Sequence, residues 1–66
     1  MTAEQMKRFY GPLTELGLIN HYHHELERMQ FGATDAVKAD AEQRLAVIGR
    51  LHLEKRKALQ QQLELA

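Results

Sequence analysis

A chain of 66 residues without cysteine has room for one domain and buries only about 60% of the surface its unfolded form exposes. Neither disulfides nor cysteine-based zinc can hold it together. Its nine Lys and Arg balance nine Asp and Glu, so no global field steers it toward nucleic acid or an anionic membrane.

The routes to stability left to so small a chain are regular helix packing, self-association, a protein partner or a His/Asp/Glu metal site. The first ten residues, MTAEQMKRFY, lack the apolar centre of a secretory signal, and no run of about 18 apolar residues could span a bilayer. The expectation is a single cytoplasmic domain over residues 1–66.

Thr2 and Gln5 have the spacing of a capping box, which predicts a helix over about 3–10. Gly11-Pro12 breaks it, because the residue before proline is pushed out of the α region and proline removes a backbone donor. Pro12 suits the first position of a second helix, predicted over about 12–30. At about 100° per residue, Leu16, Leu18, Ile19, Tyr22, His23, Leu26 and Met29 share one sector, whereas Met6 and Phe9 fall largely outside it. Gly17, unfavourable inside a helix, reads as a site of close helix contact.

The stretch FGATD ends this helix and starts the next, with Gly32 suited to a left-handed C′ position and Thr34 or Asp35 to an N-cap. From Asp35 to about Leu65 the chain is rich in Ala, Leu, Glu, Gln, Lys and Arg, which favours one long helix over 35–65. Val37, Ala41, Leu45, Ile48, His52, Lys55, Leu59 and Leu63 advance in steps of three or four, the pattern of a packed seam. The tail ALQQQLELA continues that spacing, and is either a frayed end or a helix tip for a partner.

These elements predict an all-α fold: an antiparallel helical hairpin with a short, kinked N-terminal helix. Reversal near Gly32 places Leu26 near Ala41, Ile19 near Ile48, and Leu16 near Leu51 or His52. The short first helix would then extend the first arm, bringing Met6, Phe9 and Tyr10 toward Lys55 to Leu59. Val47, Leu51, Leu53, Ala58 and Leu65 lie partly outside the seam and need a cover. A second copy would complete a two-fold four-helix bundle, and a groove on another protein would serve equally well.

Two constellations bear on chemistry. In HYHHELER, residues 21–28, helical phase assigns His23 to the apolar face and His21 and His24 to the polar one. His21 and His24 could form a two-histidine metal edge beside Glu25 or Glu27. However, helical zinc pairs commonly stand four apart with a third ligand elsewhere, and a solvated face is the simpler reading.

Arg50, Lys55, Arg56 and Lys57 could follow a phosphate backbone, but their phases spread around the helix and Glu54 dilutes their field. No phosphate loop, nucleophile elbow or metalloprotease helix occurs, and a two-helix hairpin has no deep pocket to shift a carboxyl pKa.

The sequence therefore predicts a small, non-enzymatic, cofactor-free module for protein–protein interaction or assembly: an adaptor, chaperone or regulator. It would act through a seam of Leu16, Ile19, Tyr22, Leu26, Val37, Leu45, Ile48, Leu51, Leu59 and Leu63. The partner would be a second copy or a dedicated protein; nucleic acid is not expected. The alternatives are metal binding at His21 and His24, and a nucleic-acid-binding hairpin using Arg50 and Lys55 to Lys57.

Overall fold

A computed structural model describes residues 2–65; Met1 and Ala66, the two ends of the expected 1–66 domain, lie outside the described residues. Three helices follow one another: α1 (Ala3–Tyr10), α2 (Glu15–Phe31) and α3 (Asp35–Leu65). Among the described residues there is no strand. No described helix is long and apolar enough to cross a membrane.

Local chemistry sets each start. The Thr2 hydroxyl accepts from the Gln5 backbone N–H at 3.2 Å while the Gln5 side chain accepts from the Thr2 N–H at 2.8 Å, so two otherwise orphaned donors of α1 are satisfied reciprocally. Thr34 caps α3 in a related way, accepting from the Val37 N–H at 3.2 Å.

The start of α2 differs from the expected Pro12. Gly11 stays in the right-handed helical region and bonds Lys7, the Leu13 N–H bonds the Tyr10 carbonyl at 3.1 Å, and Thr14 then caps a new helix by accepting from the Gly17 N–H at 3.1 Å. Pro12 thus sits in a tight turn, and the threonine hydroxyl supplies the N-terminal signal. Gly17 is the donor to that cap; a Cβ there would meet only Thr14 and Leu13, at 3.4 Å and beyond, so it marks no helix–helix contact.

Gly32 also departs from expectation. Its φ of −59° and ψ of 137° are extended rather than left-handed. A Cβ at this position would stand 2.5 Å from the Arg28 carbonyl oxygen and 3.0 Å from Val37 Cγ1. The glycine therefore serves the tight reversal itself, first against the last turn of α2 and then against the first turn of α3.

The antiparallel register of α2 and α3 follows the expected pairing, with Arg28 beside Asp40 at one end and Glu15 beside His52 and Arg56 at the other. Leu18 and Ile48 are buried between them, and Ala41 is buried further along. The tight turn places α1 elsewhere than foreseen. Thr2, Ala3 and Met6 border Gln43, Ala46 and Val47 of α3, and the Tyr10 hydroxyl meets Arg44. Hence α1 folds back over the middle of the hairpin, and Met6, Tyr10, Leu18 and Ile48 form one core with Leu13, Val47 and Leu51 packed around it.

The far end of α3 consequently extends alone. At about 1.5 Å per residue a 31-residue helix is roughly 46 Å long, close to the 48 Å longest dimension of the molecule. Beyond Lys55 every described residue is exposed, and Leu63 is 72% exposed.

Candidate functional site

The two flanks of the hairpin differ. On one, α1 covers the junction: the Tyr10 ring meets His21 edge-on with centroids 5.4 Å apart, and Phe9 approaches the same histidine at 6.0 Å. On the other, Leu18, Ile19, Tyr22, Ile48, Gly49 and His52 line a groove of about 290 Å³. By helical phase at about 100° per residue, Leu26 of α2 and Leu45 and Leu53 of α3 continue this open side. Leu53 and Tyr22 are exposed there, and Ile19, Leu26 and Leu45 are half-buried.

Gly49 lies in the open flank, inside α3, where glycine costs about 1 kcal/mol relative to alanine. A Cβ at this position would meet nothing within 4 Å. The packing of this chain on itself therefore does not require the glycine.

At the edge of the groove, Glu15 Oε1 lies 2.8 Å from Arg56 Nε and 3.2 Å from His52 Nε2. The Arg56 contact is well formed. The His52 nitrogen is within ion-pair distance but out of line for a hydrogen bond, and it is buried without another partner.

The expected seam divides when placed in the fold. Ile48 is buried, and Ile19, Leu26, Val37, Leu45 and Leu51 are half-buried, but Leu16, Tyr22, Leu59 and Leu63 are exposed. Leu16 turns away from the hairpin junction, and Leu59 and Leu63 lie on the overhang. Met6, Tyr10 and Leu18, outside that seam, and Ala41, on the expected α3 stripe, hold most of the remaining interior.

The histidines also change places. His21 is half-buried under α1, whereas His23 is exposed and touches Tyr22 edge-on at 6.4 Å. The line of α2 that faces α3 runs through Leu18 and Glu25, so His23 lies well round the helix from it. His24 is exposed, and α1 separates His21 from it in environment. Among the described residues no group of three or more His, Asp or Glu side chains is arranged to hold a metal.

The basic residues remain dispersed. Arg50 and Lys57 are exposed, Lys55 is half-buried, and Arg56 is engaged by Glu15.

A polar network that sequence reasoning missed crosses the covered flank. Glu25, only 3% exposed, accepts from Arg28 at 2.7 Å; Arg28 also donates to Asp40 at 3.0 Å; Arg44 donates to Asp40 at 2.8 Å and to the Tyr10 hydroxyl at 2.9 Å. All three helices are joined by these contacts. The spacings of Glu25 to Arg28 and Asp40 to Arg44 are ordinary surface pairings. Nothing in them signals that one member lies inside.

The Arg44 hydrogen bond, followed by that of Arg28, holds the Asp40 carboxyl below its usual 3.8 against the opposing effect of burial. The Arg44 guanidinium is held more firmly protonated, first by Tyr10 and then by Asp40. A carboxyl depressed in the folded state contributes stability above its unfolded pKa and loses it as pH falls through the folded one. The urea midpoint is therefore expected to fall below about pH 4, with Asp40→Asn flattening part of that acid slope. An identical slope in the variant would remove Asp40 from the account.

No protein-family model matches the chain, and neither does any curated protein or solved structure.

Proposed function

We propose that this chain is a small, non-enzymatic, cytoplasmic helical module for protein–protein interaction or assembly, and that its open flank receives helices of another chain. The observation that carries this reading is the asymmetry of the hairpin. α1 closes one side, while the opposite side keeps an apolar groove between Ile19 and Tyr22 of α2 and Gly49 and His52 of α3. A helix laid along such a groove buries its own apolar face and that of the host together.

A second copy or a dedicated protein satisfies this chemistry. Among the described residues no third ligand joins His21 and His24, and the dispersed Arg50, Lys55, Arg56 and Lys57 form no phosphate-tracking stripe, so neither alternative gains a supporting observation.

The test is a pair of unfolding curves. An assembled chain melts at a midpoint that rises with protein concentration, because association stabilises only the folded state. The double variant Ile19→Glu/Tyr22→Glu, placed on the open flank, is expected to melt at a concentration-independent midpoint and remain helical. Concentration-independent melting of both proteins, with or without chelator, would contradict self-assembly through this flank and leave only the dedicated partner. A partner pulled down equally by the parent and the variant would then contradict the flank.

A further inference from the structure

We propose that the open flank is closed by a second copy of this chain, with the two α3 helices crossing antiparallel about a two-fold axis at Gly49. This rests on the preceding reading of the flank as an interaction surface and names its occupant and geometry. The first observation is the glycine. A side chain at Gly49 would meet only open space within the chain, yet the position gives up helix propensity in the middle of a 31-residue helix. A neighbouring helix backbone approaching at this point needs the missing Cβ.

The second observation is the pattern on either side. Leu45 and Leu53 each lie four residues from Gly49, and Glu42 and Arg56 each lie seven. At about 100° per residue, all four fall within about 40° of Gly49 around α3. An antiparallel pairing centred on Gly49 sets Leu45 against Leu53 of the second copy and Glu42 against its Arg56, and the symmetry repeats both contacts. Lys38 would face Gln60, and Asp35 would face Leu63, so the stripe brings no like charges together. Glu42 is exposed, and Arg56, although its Nε contacts Glu15, keeps 65% of its side chain exposed.

The third observation is area. A folded monomer of 7.6 kDa is expected to expose about 4,300 Å². This chain exposes 5102 Å². The excess of roughly 800 Å² is of the size that each partner contributes to a standard specific interface, and the exposed overhang of α3, which the antiparallel pairing would also engage, carries part of it.

The test combines two sets of variants measured by sedimentation equilibrium and circular dichroism. Gly49→Gln has room in the monomer, so helix content and the midpoint at low concentration should hold or rise while the dimer dissociation constant increases at least about tenfold. Glu42→Arg turns two attractive pairs into two repulsive ones and should weaken the dimer about tenfold. Adding Arg56→Glu to it reverses both charges and should restore most of that loss.

The proposal is overturned if Gly49→Gln dimerises as tightly as the parent, or if the double charge reversal is no better than Glu42→Arg. Should Ile19→Glu/Tyr22→Glu still abolish association in that case, the interaction surface stands and the crossing at Gly49 is wrong. A parent chain that sediments only as a monomer also overturns the proposal.

Discussion

Arg28→Ala is expected to lose about 3 kcal/mol of folding stability, more than the removal of a surface ion pair. The reason lies in Glu25, which is 3% exposed and takes its hydrogen bond from Arg28 Nη1 at 2.7 Å. Deleting the guanidinium leaves a carboxylate inside the protein without its partner, and the missing compensation sets the cost. Asp40 loses one of its two arginines in the same step but keeps Arg44.

The loss is large against the roughly 3–10 kcal/mol available to a domain of this size. Urea unfolding measures it directly, and a second substitution identifies its origin. Glu25→Gln introduced into Arg28→Ala removes the stranded charge and should recover at least half of the deficit. If Arg28→Ala alone costs under about 0.5 kcal/mol, Glu25 has access to water and the buried network is not what joins the helices.

Ile48→Asp should prevent folding altogether. Ile48 is 1% exposed and packs with Met6, Tyr10 and Leu18, so it is the point at which all three helices meet. Replacing it removes about 2–3 kcal/mol of apolar burial and introduces a carboxylate without a hydrogen-bonding partner, which costs several more. Together these equal or exceed the whole stability of so small a fold.

Ile48→Ala separates the two contributions, with an expected loss of about 2–5 kcal/mol from the cavity alone. Far-ultraviolet circular dichroism of the aspartate variant should show a chain without cooperative melting. A cooperative transition near that of the parent would place Ile48 outside the core.

Much of this architecture is legible in the sequence because its signals are local. The capping box at Thr2 and Gln5, the cap at Thr34 and the uninterrupted helix formers after Asp35 depend on neighbours within a turn. The hairpin register follows from one reversal near Gly32. The position of α1 was not legible, since it depends on the turn from Tyr10 to Thr14, and turn geometry carries no periodic signal. Its direction decides whether Met6 and Tyr10 cover Gln43 to Val47 or reach Lys55 to Leu59.

Apolar periodicity misplaces the rotation of α2. Apolar phase alone centres the inward face near Leu26 and Ile19, roughly 100° from the line through Leu18 and Glu25 that meets α3. Hydropathy counts Glu25, His21 and Arg28 as outward, although each is at least half-buried by the other two helices. It counts Ile19, Tyr22 and Leu26 as inward, although they border the open flank. The disagreement between apolar phase and actual packing leaves α2 with an apolar face that this chain does not cover, the face that the proposed assembly would use.

The same reasoning separates the two halves of HYHHELER. His21 belongs to the contact with Tyr10, and His23 and His24 face outward. The functional interest of the stretch therefore passes from its histidines to Tyr22, which borders the groove beside Ile19.

The central proposal is that a hairpin closed on one side by α1 is closed on the other by a second copy of the chain. Sedimentation equilibrium of the unmodified protein over a wide concentration range tests it most directly. The account predicts a mass approaching twice the 7.6 kDa of one chain, unaffected by chelator and reduced to that of one chain by Ile19→Glu/Tyr22→Glu. A folded species that holds the mass of one chain throughout would contradict it.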